Sequence, residues 1–285
     1  IYMTSIAKSS PYVLEMKTVQ IAPMRTLMTA LKDILLETNI VFSQDYIDAK
    51  GNLVPAGIRI INMDKSHTIL AHLFLDALKF EHFYCKYPKI IIGVNMFHLF
   101  KLINTIDNDD TLTIYIEEKD YSDGIVEYLG LKFENGDIKQ MKIQKLKLIE
   151  PDEEELDMPS VKFSSIINLP STDFQKIIRD LSNISERLEI KSIGSELVFS
   201  CVGPFATAQI NRTEADGVTE FVKKTETTEV IQGEFSLKNL GYFIKCTNLC
   251  SNIEMFLEND LPLVVKYSVA SLGEIKLCLA PLPAN

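Results

Sequence analysis

Four stretches of this chain leave the two-residue alternation of strands for the three-and-four spacing of helices. That spacing predicts helices over Ala22–Glu37, Asn95–Ile106, Ser171–Ser182 and Leu237–Cys246. Two fall in each half of the chain, and each follows a predicted strand. An amphipathic helix must lay its apolar stripe on another element, and the many short strands between these helices supply sheets to receive it. The order therefore confines the chain to an α+β fold with helices on one side of its sheets. Asn95 and Ser171 are predicted N-caps, since a short side-chain oxygen accepts a free N–H of the first helical turn.

Predicted strands run through Val13–Val19, Gly57–Asn62, Thr68–Leu75, Ile90–Val94, Thr111–Glu117, Ile125–Phe133 and Lys139–Leu148. The second half repeats the style with Lys162–Leu169, Leu188–Ser192, Glu196–Val202, Ala206–Ile210, Glu229–Phe235, Ile253–Leu257, Leu263–Val269 and Ile275–Ala280. In Thr111–Glu117 the alternation sets Leu112, Ile114 and Ile116 on one face. Between the halves, Lys145–Pro159 turns from basic to a solid acidic run, with Pro151 and Pro159 as punctuation. It reads as a connector at 145–161 joining domains at 1–144 and 162–285, and the matching order of the halves implies an internal duplication. A length of 285 residues suits two domains at roughly 100–200 residues each.

The chain is acidic, with 29 Lys and Arg against 39 Asp and Glu and a formal net charge of -10. Overall repulsion opposes a phosphate backbone, so the placement of the cations matters more than their sum. Helical residues turn by about 100° each, so positions three, four or seven apart share a face. By that rule Arg25 and Lys32 lie together, opposite Leu27, Leu31, Ile34 and Leu35. His98 and Lys101 lie opposite Leu99, Leu102, Ile103 and Ile106, and Lys176 and Arg179 lie opposite Phe174, Ile177, Ile178 and Leu181. Lys238 and Lys245 lie opposite Leu240, Phe243 and Ile244. Every helix thus carries fixed positive charge on its polar face. Set side by side, the helices would make one basic surface on an acidic body, suited to sequence-independent contact with double-stranded DNA.

No phosphate-binding loop, dinucleotide fingerprint or zinc-protease motif occurs, and Asp64-Lys-Ser-His67 is a Ser/His/Asp grouping only in sequence. No catalytic residue, metal or cofactor is expected. The five cysteines (Cys85, Cys201, Cys246, Cys250 and Cys278) are scattered, as expected of reduced thiols. No apolar run of about 18 residues is present, so no membrane contact is expected. The opening Ile1-Tyr2-Met3 lacks the apolar run of a signal peptide, and Met3 reads as the native start.

Gly57 through Met63-Asp64, Ser66-His67 and Phe80 resembles a signature of the proliferating cell nuclear antigen family of DNA sliding clamps. Cys85 through Gly93-Val94-Asn95 to Lys101-Leu102-Ile103 resembles the family's second signature. Ala30-Leu31-Lys32-Asp33, Arg179-Asp180-Leu181-Ser182 and Leu261–Tyr267 running into Leu279-Ala280-Pro281 add to it. The resemblance implies a two-domain clamp fold, internally duplicated, with sheets outside and four helices per subunit lining the hole of a homotrimeric ring. It places Arg25, Lys32, Lys101, Lys176, Arg179, Lys238 and Lys245 on the wall that faces DNA. It implies a trimer contact between an edge strand with Tyr128, Leu131 and Phe133 and another with Phe205, Ala208 and Ile210. It also implies a groove for partner peptides at Met63, His67, Leu70, Leu156, Met158, Pro159, Pro262, Cys278, Ala280 and Pro281.

The implied partners are a DNA polymerase, a clamp loader, a flap nuclease and a ligase. The implied location is the nucleus or, for a viral member, a cytoplasmic replication site. The chain departs from the family in a longer, more acidic connector, in Leu277 and Cys278 where aromatics are usual, and in Lys86-Tyr87 where an acidic-basic pair is usual. Gly194 stands at the position of the family's ubiquitin-accepting lysine. These departures bear on partner preference and regulation. Two other readings stay open at this point: a checkpoint-type heterotrimeric clamp subunit, and a monomeric processivity factor that holds DNA by charge alone.

Overall fold

The computed structural model describes residues 10–48, 51–152, 156, 161–226 and 229–283. Leaving aside two short two-stranded ribbons, the described residues of the first half hold nine strands and two α-helices. They run β1 (Tyr12–Thr18), α1 (Ile21–Ile34), β2 (Glu37–Ser43), β3 (Gly57–Met63), β4 (Ile69–Asp76), β5 (His82–Cys85), β6 (Lys89–Asn95), α2 (Met96–Ile103), β7 (Thr111–Glu117), β8 (Tyr128–Asn135) and β9 (Gln140–Lys147). The second half holds β10 (Ser165–Pro170), α3 (Ser171–Ser182), β11 (Arg187–Ile193), β12 (Glu196–Val202), β13 (Thr207–Thr213), β14 (Glu220–Lys223), β15 (Val230–Ser236), α4 (Leu237–Phe243), β16 (Asn252–Leu257), β17 (Leu263–Val269) and β18 (Gly273–Leu279).

The duplication runs deeper than the two halves. Each half contains two strand–helix–three-strand units, beginning at β1, β6, β10 and β15. Each unit's last three strands form an antiparallel meander, and the leading strand of the neighbouring unit completes it: β1 joins β7, β6 joins β2, β10 joins β16 and β15 joins β11. Two of the four meanders meet. β4 pairs with β18, from Ile69 opposite Leu279 to Leu75 opposite Gly273, and so fuses both halves into one nine-stranded sheet ordered β14-β10-β16-β17-β18-β4-β3-β2-β6. Among the described residues the other two end free, as β9 at one edge of a five-stranded sheet and β13 at one edge of a four-stranded sheet.

Burial holds the helices in place. Phe174, Ile177, Ile178 and Leu181 of α3 are all buried. At roughly 1.5–3 kcal/mol per large apolar side chain, that outweighs the few tenths by which helix propensities of ordinary residues differ, at most about 0.7 kcal/mol. The helices lie side by side: α1 packs against α2 and against the 3-10 turn Ile244–Leu249 that continues α4, and α3 packs against α4 and the same turn.

Several expectations change. The first helix stops at Ile34 rather than Glu37, and Glu37–Ser43 is a strand, because its buried Thr38, Ile40 and Phe42 alternate. Asn95 caps α2 as expected, its side chain accepting from His98 N at 3.1 Å. Ser171 is not a cap. It is the first residue of α3, and its buried hydroxyl bonds the Cys250 carbonyl at 2.6 Å, tying α3 to the end of the 3-10 turn. Ser236, unforeseen, caps α4 by accepting from Asn239 N. β5 and β14 were also unforeseen; each is a four-residue strand added at a sheet edge.

Candidate nucleic-acid interface and partner groove

Because α1 to α4 bury their apolar stripes, their cations turn outward together. Lys101, Lys176, Arg179, Lys238 and Lys245 are exposed, whereas Arg25 and Lys32 are half-buried. The seven are not equivalent. Arg25 is held by its own domain: Nη1 donates to the Ile106 carbonyl at 2.9 Å and Nη2 to Asn108 Oδ1, which pins the loop after α2. Lys101 lies 4.5 Å from the ring centre of Phe97, and Lys32 lies 4.8 Å from that of Phe100. Lys245 lies over Tyr242. These rings were not foreseen. The available signal was the four-residue step from Phe97 to Lys101, which stacks two side chains on one helix face. Among the described residues, Lys101, Lys176, Arg179 and Lys238 have no ion-pair partner.

Asp33 was also unforeseen. Its carboxylate accepts from Lys32 Nζ at 2.7 Å and from Lys245 Nζ, so one acidic group of α1 joins two cations from different halves of the chain. Burial pushes the Asp33 carboxyl up, but the hydrogen bonds and charges of Lys245 and Lys32 outweigh it and hold the group below the usual carboxylate range.

On the nine-stranded sheet, a cross-strand rung brings the groove positions together. Met63 lies opposite Leu70, Leu70 opposite Cys278, and Cys278 opposite Val264. Direct partners share a face, so the rung is one apolar track across both halves. Pro262 is exposed just before β17, and Ala280 and Pro281 are half-buried just after β18. Ala280 N donates to the Thr68 carbonyl at 2.9 Å. Cys278 is 8% exposed and burial pushes its thiol up to about 11, so it acts as a small apolar side chain.

His67 is exposed with φ +54°, in a turn that Asp64 organises by accepting from Thr68 N at 2.8 Å and Ile69 N at 2.7 Å. Asp64 is thus spent on the turn rather than on orienting a histidine. Leu156 is half-buried, while Met158 and Pro159 lie outside the described residues. The start of the connector is stitched to the first half. Ile149 bridges Gly93, and the Asn39 amide both donates to the Asp152 carbonyl at 2.7 Å and accepts from Asp152 N at 2.9 Å. Gly194 has φ +54° in the tight turn between β11 and β12, a conformation that disfavours lysine.

One part of the expected subunit contact is corrected. Tyr128, Leu131 and Phe133 lie on β8, which is paired on both sides by β7 and β9, and Leu131 and Phe133 are buried. Alternation reveals a strand but not its neighbours. The edge beside β8 is β9, where Met141 is 61% exposed and Ile143 54%. On the other side, Ala208 and Ile210 do lie on the edge strand β13, and Phe205, 75% exposed, just precedes it.

A duplicated set of sheets, an inner layer of basic helices and an apolar track on the sheet's far side define a two-domain clamp fold. Family models agree. The N-terminal domain of proliferating cell nuclear antigen matches residues 13–155, and its C-terminal domain matches residues 157–282. The chain belongs to the proliferating cell nuclear antigen family. It is 34% identical over 226 residues to a protein of Acanthamoeba polyphaga mimivirus named "Probable DNA polymerase sliding clamp", covering 79% of this chain and 47% of that protein. It is 30% identical over 270 residues to "Probable DNA polymerase sliding clamp 1" of Paramecium bursaria Chlorella virus 1, covering 93% of this chain and 95% of that protein. The chain therefore spans about half the length of the first relative and nearly all of the second.

Proposed function

We propose that this chain is the subunit of a DNA sliding clamp, a non-enzymatic processivity factor that closes into a homotrimeric ring around duplex DNA. Residues 1–144 and 162–285 act as its two domains, and 145–161 as the connector. The observation that carries the reading is the β4–β18 junction. It joins the last strands of two units within the chain, and β9 and β13 are the last strands of the other two, each with its outer edge unpaired among the described residues. Pairing β9 of one copy with β13 of the next repeats the internal junction between subunits and leaves neither edge exposed. Met141 and Ile143 on one side and Phe205, Ala208 and Ile210 on the other supply its apolar contacts.

The wall of Lys32, Lys101, Lys176, Arg179, Lys238 and Lys245 then faces the duplex. Arg25 supports it by holding the loop beneath. Retention is topological, so phosphate contacts can stay weak while the ring slides. The Met63–Leu70–Cys278 track, with His67, Leu156, Met158, Pro159, Pro262, Ala280 and Pro281 around it, receives the short peptides of a DNA polymerase, a clamp loader, a flap nuclease and a ligase. Tethering raises their concentration at the primer end. The protein acts where replication occurs, in a nucleus or a viral replication site.

Two measurements test this. Light scattering of the purified chain should give a single trimeric species; a monomer would favour a subunit that needs different partners. Clamps loaded on a nicked circle should stay bound at high salt and be lost when the circle is cut. Equal retention on circle and line would instead favour grip by charge.

A further inference from the structure

The proposed DNA wall contains its own competitor for phosphate. Asp33 sits in the last turn of α1, where the helix dipole disfavours a negative side chain. Its two carboxylate oxygens take one lysine each, Lys32 from α1 and Lys245 from the turn after α4. Lys32 and Asp33 border an open cleft of about 370 Å³ at the junction of the two halves, lined also by Lys65, Ser66, Lys238 and Tyr242. Lys238, on the same cleft, carries no counter-ion among the described residues. The wall thus mixes committed and uncommitted cations within one cleft.

We propose that Asp33 is a positioning residue that holds Lys32 and Lys245 back from the DNA backbone, so that the wall's phosphate contacts stay weak and exchangeable. This rests on the reading of the wall as the DNA-facing surface. A carboxylate presents anionic oxygens as a phosphate does, and a lysine already paired with one has its charge offset and its ammonium held in place, so it gains less from the other. A sliding ring needs that balance, because a cation bound tightly to each phosphate would have to break away at every step. Asparagine at position 33 would keep the shape, lose the charge and free both lysines.

The test is binding of the full-length ring to a short labelled duplex across a salt series. Asp33→Asn is expected to tighten binding several-fold at low salt. The plot of log affinity against log salt should steepen by up to about 0.9 for each lysine that gains a phosphate. Lys245→Gln added to Asp33→Asn should remove the share of that gain that Lys245 supplies, about half, whereas Lys238→Gln should weaken binding equally in both backgrounds. Asp33→Glu, which keeps the charge, should restore the native slope. A folded, trimeric Asp33→Asn ring with unchanged or weaker binding would overturn the proposal and leave Asp33 a staple between domains.

Should Asp33→Asn fail to fold, the ammonium signals of the native ring decide the matter. During titration with duplex, Lys238 should respond more strongly than Lys32 and Lys245, and equal responses would overturn the proposal. Absence of any salt-dependent binding by the native ring would instead sink the reading of the wall itself.

Discussion

Gly93 and Ile149 lie in direct backbone contact, with Ile149 N donating to the Gly93 carbonyl at 3.0 Å. A side-chain carbon on Gly93 would stand 2.6 Å from the Ile149 carbonyl oxygen and 2.7 Å from that of Glu150. The connector therefore leaves the first domain along the β6 edge, and only glycine lets it come so close. Gly93→Val should cost about 1–3 kcal/mol by forcing the strands apart. Hydrogen exchange at Leu148–Asp152 should accelerate; unchanged protection there would sink the account.

Met141 and Ile143 share one face of β9 and are exposed in the single chain. Met141→Glu with Ile143→Glu should convert the trimer to a monomer in light scattering. Exposed substitutions usually cost about 0.5 kcal/mol or less within one chain, so the monomer should keep the native circular-dichroism spectrum. A double variant that remains trimeric would place the subunit contact elsewhere.

Lys176 and Lys238 are exposed and carry no ion pair among the described residues. Lys176→Glu with Lys238→Glu should weaken DNA binding without lowering stability. Each lost phosphate contact should flatten the salt dependence by about 0.9. Unaltered stimulation of a polymerase by this variant would count against the basic wall.

The lowered pKa of Asp33 gives its ion pairs a pH signature. A carboxyl depressed in the folded state contributes stability above its unfolded value, about 3.9, and loses it as pH falls through the folded value. Urea unfolding should therefore show the native chain more stable than Asp33→Asn at pH 7, with the gap closing below about pH 4. A gap independent of pH would mean that the pair adds nothing electrostatic.

Burial pushes the thiols of Cys85 and Cys278 up to about 11 and that of Cys246 up to about 12. The thiolate is the reactive form, so the native chain should resist iodoacetamide at neutral pH, and all five cysteines should label in urea. Rapid native labelling of Cys278 would show the groove more open than its 8% exposure implies.

The family, the α+β class and the positive face of every helix were legible in the sequence. Helical period fixes which side chains share a face, and Phe174, Ile177, Ile178 and Leu181 lie buried opposite Lys176 and Arg179 as the spacing requires. Local pattern also placed Asn95 as a cap. What it could not decide was adjacency between segments far apart in the chain. Alternation marks β8 and β9 equally as strands, and only the sheet order makes β9 the edge. Two successive residues, Lys32 and Asp33, read as an ordinary polar face until the fold brings Lys245, more than two hundred positions away, onto the same carboxylate. The sequence by itself determined which surfaces are apolar and which are basic, because those follow from short-range geometry. Tertiary structure decided which cations are free and which strand edges await a partner, because pairing of strands and charges depends on neighbours that no local window contains.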